Sequence, residues 1–153
     1  MNFIVPGSQS CIGPCCSERD IVVSISGISL IDGPDAEVSG CTVDVMNEMN
    51  AVLAADMTLS FQGVFGGECQ WLLSYPPPSR VNSTDRLNVV VRPTYIRIFY
   101  AIPFTSSPQI QRDGTWNCRT WTPSGSWTTG GGDGKNCFQY SGYGSATETI
   151  SIA

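Results

Sequence analysis

The sequence predicts an all-β fold, an antiparallel β-sandwich or jelly roll of about eight strands behind an extended N-terminal arm. Three observations predict it. Apolar residues recur with period two in segment after segment, the spacing of strands with one buried face, while helical spacing is almost absent. Gly, Pro, Asn and Asp cluster between those segments, where turns need them. Charged residues make up only 14% of the 153 residues against 41% hydrophobic, which leaves a neutral, polar surface around a core of sufficient size.

Residues 1–19 show no strand period and contain Pro6, Gly7, Gly13 and Pro14. They are read as the arm, with Phe3, Ile4, Val5 and Pro6 set against a neighbouring subunit, and residues 20–153 as one β domain. Residues 20–27 place Ile21, Val23 and Ile25 on one face of a strand. In residues 56–62, Met57, Leu59 and Phe61 alternate with Thr58 and Ser60. Residues 69–75 put Cys69, Trp71, Leu73 and Tyr75 on one side. Residues 86–91 and 94–102 pair as a hairpin with Pro93 in the turn. Three further strands are expected over 115–122, 136–140 and 146–152, the last with Ile150 and Ile152 on one face. Only residues 43–55 are open to a helix, since Val45, Met49 and Val52 recur at helical spacing; a strand leading into residue 56 is the alternative. Residues 31–34, 76–84, 103–114 and 124–135 are expected to be loops.

Thirteen acidic residues against eight basic ones give a net charge of −5, with no Lys/Arg cluster. That excludes nucleic-acid binding by counterion release. No apolar run approaches the roughly 20 residues that span a bilayer, so no membrane partner is expected. Histidine is absent, which removes Ser-His-Asp and Cys-His catalysis, and no Ser-x-x-Lys pair replaces it. Asp32, Asp35, Asp44, Asp56, Asp85, Asp113, Asp133 and Glu148 are read as turn and solubility residues rather than a glycosidase pair. Neither catalytic residues nor a cofactor are expected.

Seven cysteines look like a disulfide framework, yet residues 1–20 lack the basic and apolar regions of a secretion signal. Cys11, Cys15 and Cys16 form the densest cluster, but without histidine or a second Cys-x(2–4)-Cys pair they do not make a zinc site. Adjacent Cys15 and Cys16 would instead tether the arm at two places. Cys118 with Cys137 would close the glycine-rich loop, a bridge worth roughly 3 kcal/mol, and Cys41 with Cys69 is a second candidate pair. Trp116, Trp121, Trp127, Tyr140 and Tyr143 concentrate aromatic area near the C-terminus. Core packing, a subunit interface and a glycan platform are the three readings open to them.

The Cys-x-x-x-Cys-Cys element at Cys11, Cys15 and Cys16, the Ser-x-Ser-Gly at residues 24–27, Cys69-x-Trp71, Cys137-Phe138 and the closing Thr-Glu-Thr-Ile-Ser-Ile together resemble small cysteine-containing β proteins of phages and environmental bacteria. The resemblance implies a virion-associated structural role, with no catalytic residues to carry over. Such a protein is made in a host cytoplasm without a signal and meets oxidising surroundings only after lysis. Its expected partners are copies of itself and other virion proteins. A glycan-binding adhesin and an extracellular fibre subunit are the alternatives.

Overall fold

The computed structural model describes residues 18–32, 43–75, 86–101, 109–117, 119–129, 138–141 and 146–153. The all-β antiparallel class holds, with ten strands and one helix among the described residues. In chain order these are β1 (Ile21–Ser26), β2 (Ser29–Asp32), α1 (Val43–Leu53), β3 (Met57–Phe65), β4 (Glu68–Tyr75) and β5 (Arg86–Arg92). Then follow β6 (Tyr95–Ala101), β7 (Gln109–Trp116), β8 (Trp121–Thr129), β9 (Phe138–Ser141) and β10 (Thr147–Ile152). Eight of the strands form one sheet in the order β10-β1-β3-β4-β5-β6-β7-β8, curled until it is nearly closed into a barrel. β2 and β9 form a separate two-stranded sheet.

β3 to β8 run as a simple up-and-down meander. Each hairpin is set by its own turn chemistry. Gly66 and Gly67 join β3 to β4 with φ of 59° and 88°, the left-handed pair that a two-residue hairpin demands and that glycine alone adopts freely. Pro93 and Thr94 turn β5 into β6, as the sequence predicts. Residues 115–122, expected as a single strand, instead fold back on themselves. Asn117 Oδ1 accepts the backbone N–H groups of Arg119 and Thr120 at 3.1 and 2.9 Å, and Trp116 comes to lie opposite Trp121. An Asn side chain that satisfies the turn amides is what reverses the chain.

Period two decides which side chains reach the interior. Ile21, Val23 and Ile25 of β1, Met57 and Leu59 of β3, and Cys69 and Trp71 of β4 are all buried. So are Ile96 and Ile98 of β6 and Ile110 of β7. β5 is buried on both faces from Leu87 to Val91, in keeping with its continuous apolar run. The helical option for residues 43–55 is the one realised, and Met49, Val52 and Leu53 pack into the same core. Val45, one of the expected positions, is a residue whose side chain lies outside the described set.

Asn50 ties α1 to β2. Its Oδ1 accepts the Leu30 N–H at 2.7 Å and its Nδ2 donates to the Leu30 carbonyl at 2.8 Å, so the amide imitates a neighbouring strand. β2 itself corrects the expectation of a loop from residue 31. β7 likewise replaces much of the loop expected over residues 103–114, and β8 takes in residues 124–129 of the expected glycine-rich loop.

Candidate functional site

The two edges of the eight-stranded sheet, β10 and β8, meet at a carboxylate. Glu148 sits mid-strand in β10, on the inward face it shares with Ile150, and is 6% exposed. The expectation that it serves as a solvated strand-end acid is corrected by that burial. A buried carboxylate is costly unless its lone pairs are met by donors. Here three donors from two other strands meet them. Trp121 Nε1 donates to Oε1 at 3.1 Å, Trp127 Nε1 donates to Oε2 at 3.1 Å, and Arg112 Nε donates to Oε1 at 2.9 Å. The Arg112–Glu148 ion pair is withdrawn from water at both ends.

Local irregularities aim those donors. Gln111 pairs with Thr128 and Asp113 with Ser124, so one residue of β7, Arg112, lies opposite three of β8: Gly125, Ser126 and Trp127. Such a bulge re-aims side chains. Arg112 turns inward and Trp127 becomes fully buried, while Arg112 Nη1 also donates to the Gly125 carbonyl. Gly114 makes room for the second indole. A Cβ placed there would stand 2.4 Å from Cζ2 and 2.6 Å from Cη2 of Trp121, and 2.8 Å from the Thr122 carbonyl oxygen. The absence of a side chain at Gly114 lets the Trp121 ring come this close to β7.

Both oxygens of Glu148 are therefore occupied by neighbours, and the arrangement acts as a clasp between β8 and β10. Among the described residues no backbone pairing joins these two strands. Side chains close the seam that ladder hydrogen bonds would close in a complete barrel.

A second aromatic group fills the middle of the core. Trp71 packs edge-on against Phe61 at 5.5 Å and against Trp116 at 6.4 Å, and its Nε1 donates to the Arg19 carbonyl at 3.0 Å. On the outer face, Arg92 and Arg97 flank the Tyr95 ring at 5.6 and 4.5 Å. Each guanidinium is forked onto a glutamine, Gln70 for Arg92 and Gln111 for Arg97.

All four tryptophans are thus core residues. Trp116, Trp121 and Trp127 offer no face to a sugar or to a neighbouring subunit, because each is at least nine-tenths buried and two of them are spent on Glu148. The burial of these three tryptophans is that of core residues. The Tyr140 side chain and Tyr143 lie outside the described residues, as do Phe3, Ile4, Val5, Pro6, Cys11, Cys15, Cys16, Cys41, Cys118 and Cys137. Cys69 is fully buried beside Trp71.

Sequence reasoning missed the clasp, although one signal pointed to it. The period that places Ile150 and Ile152 on one face places Glu148 there too. Among the described residues, no three His, Cys, Asp or Glu side chains gather where a metal would bind, and no helix is long and apolar enough to cross a membrane. A scan against protein-family models, a search of curated proteins and a search of solved structures each return no match.

Proposed function

We propose that this chain is a non-enzymatic structural component of a bacteriophage particle, a capsid decoration, cement, neck or tail accessory protein that assembles through protein–protein contacts. The observation that carries the reading is the β3–β4 hairpin tip. Val64 is 58% and Phe65 48% exposed there, adjacent in sequence and at the end of β3. Apolar side chains exposed at a hairpin tip suit contact with another protein. The acidic, weakly charged composition and the buried clasp fit a domain whose polar chemistry goes into holding its shape.

The cysteines enter the proposal as late staples on a core that is already adequate. Cys69, fully buried in the core, is the described cysteine that fits that part.

Negative-stain electron microscopy of the concentrated full chain tests the reading. Closed rings, shells or sheet-like lattices are expected. Helical filaments would transfer the chain to the extracellular-fibre alternative, and particles no larger than single subunits would overturn an assembling role.

A further inference from the structure

We infer that the outer face of β5, β6 and β7 around Tyr95 is a binding site for a carboxylate-bearing sugar, whose acid group is held by Arg97 with Arg92 beside it. The inference goes beyond the proposed particle role and does not depend on assembly.

Strand register puts these residues on one face. Arg92 pairs with Tyr95 and Tyr95 with Asp113, while Arg97 pairs with Gln111 in the next row. Val91, Ile96, Ile98 and Ile110 take the alternate positions and are buried, so the set points away from the core. Tyr95, Arg92, Arg97, Gln70 and Gln111 are half-buried, and Thr94 and Asp113 are exposed. The guanidinium carbons of Arg92 and Arg97 stand 5.6 and 4.5 Å from the Tyr95 ring centre, which gathers two of the chain's eight basic residues around one aromatic ring.

Both guanidinium groups are aimed without being neutralised. Arg97 Nε and Nη2 donate to Gln111 Oε1 at 2.9 and 2.6 Å, and Arg92 Nε and Nη2 donate to Gln70 Oε1 at 3.2 and 3.0 Å. A glutamine oxygen fixes a guanidinium much as a carboxylate does, but leaves its charge in place. Asp113 acts one step further back, its Oδ1 accepting Gln111 Nε2 at 2.6 Å and so steadying the amide that steadies Arg97. Among the described residues Arg97 forms no ion pair and its Nη1 has no hydrogen-bond partner, while Arg92 has only the 3.7 Å approach of its Nη1 to Glu68 Oε2. The glutamine takes the Nε–Nη2 edge of Arg97. The Nη1–Nη2 edge is the one left for a carboxylate to meet with both oxygens.

The rest of the ligand follows from what borders the cations. A chain of net charge −5, with Glu68 and Asp113 flanking the two arginines, repels a densely charged polymer but tolerates a single acid group on an otherwise neutral molecule. The exposed side chains next to Tyr95 are Thr94, its chain neighbour, and Asp113, its cross-strand partner. One is a hydroxyl and the other a carboxylate, and both accept hydrogen bonds from hydroxyl groups. One carboxylate among many hydroxyls describes an acidic sugar.

Nuclear magnetic resonance titration of the full chain tests the site, with methyl glucuronide, methyl glucoside, acetate and N-acetylglutamate amide as separate probes. Methyl glucuronide should shift the Arg97 and Arg92 Nε–H resonances and the Tyr95 amide. The glucoside, which lacks the acid, and acetate, which lacks the ring, should each bind at least about tenfold more weakly. Arg97→Gln should lose at least about tenfold in glucuronide affinity with unchanged circular dichroism, whereas Arg119→Gln, the same charge change in the β7–β8 turn, should bind as the parent does. Equal losses in the two variants would reduce the effect to net charge and overturn the site. Binding of acetate or N-acetylglutamate amide as tight as that of the glucuronide would assign the face to carboxylates at large or to an acidic peptide, and overturn the sugar. No shift at these resonances with any probe overturns the inference and leaves the proposed particle role standing.

Discussion

Arg112 Nε and Glu148 Oε1 lie 2.9 Å apart across the seam of the barrel, joining β7 to β10 where no backbone ladder does. The pair is withdrawn from water and extended by two indole N–H groups, so its removal should act on the whole fold rather than on one strand.

Glu148→Ala strips three buried donors of their acceptor at once. Breaking a buried ion pair costs about 3–5 kcal/mol, and the variant should lose that much in urea unfolding followed by tryptophan emission. Glu148→Gln, which keeps the shape and one acceptor oxygen, should fall between the two. An unchanged midpoint for Glu148→Ala would mean that the seam is held by something else.

Gly114→Ala tests the room made for Trp121. The added methyl cannot fit between the indole and the Thr122 carbonyl without moving one of them, and overpacking of this kind costs about 1–3 kcal/mol. Trp121 should then lose its bond to Glu148, seen as a shift in its indole N–H resonance. A resonance that stays in place would contradict the close approach.

Asn50→Ala removes both bonds to the Leu30 backbone. About 2 kcal/mol of stability should go with them, and the Leu30 amide should exchange much faster with solvent. Retained protection at Leu30 would show that β2 does not depend on α1.

Glu48 on α1 gives a pH dependence with a fixed sign. Desolvation raises its carboxyl above the ordinary value of 4.5, and its Oε2 is buried without a hydrogen-bond partner among the described residues. The native state therefore keeps this proton to higher pH than the unfolded chain does. Stability contributed by the protonated form is present below the ordinary value and is lost as pH rises through the raised one. Glu48→Gln should stabilise the protein more at about pH 7 than at about pH 4, measured as the difference in Tm from the parent. An equal or reversed difference would refute it.

What was legible in the chain was whatever obeyed period two with apolar residues. β1, β3, β4, the β5–β6 hairpin with Pro93 in its turn, and β10 follow directly from it. β7 did not read as a strand because its inward positions include Arg112 and Gly114, one charged and one without a side chain, both shaped by the needs of Glu148 and Trp121 rather than by hydrophobicity. The β7–β8 turn was hidden because tryptophans flank Asn117 so closely that the strand signal runs through the reversal. The clasp was missed for a related reason. A lone acid in a strand is usually solvated, and only the three-dimensional meeting of two sheet edges reveals that this one has donors waiting. The tryptophans, read as open to surface roles because of their polar surroundings, are buried by that same meeting.

Sedimentation velocity of the full chain beside a variant lacking residues 1–16, over a wide range of concentration, tests the central claim most directly. The full chain should sediment as assemblies well above the 16.5 kDa subunit, while the shortened chain sediments as a folded monomer with the same circular dichroism. Equal assembly by both, or a full chain that stays monomeric throughout, would contradict a role built on arm-mediated assembly.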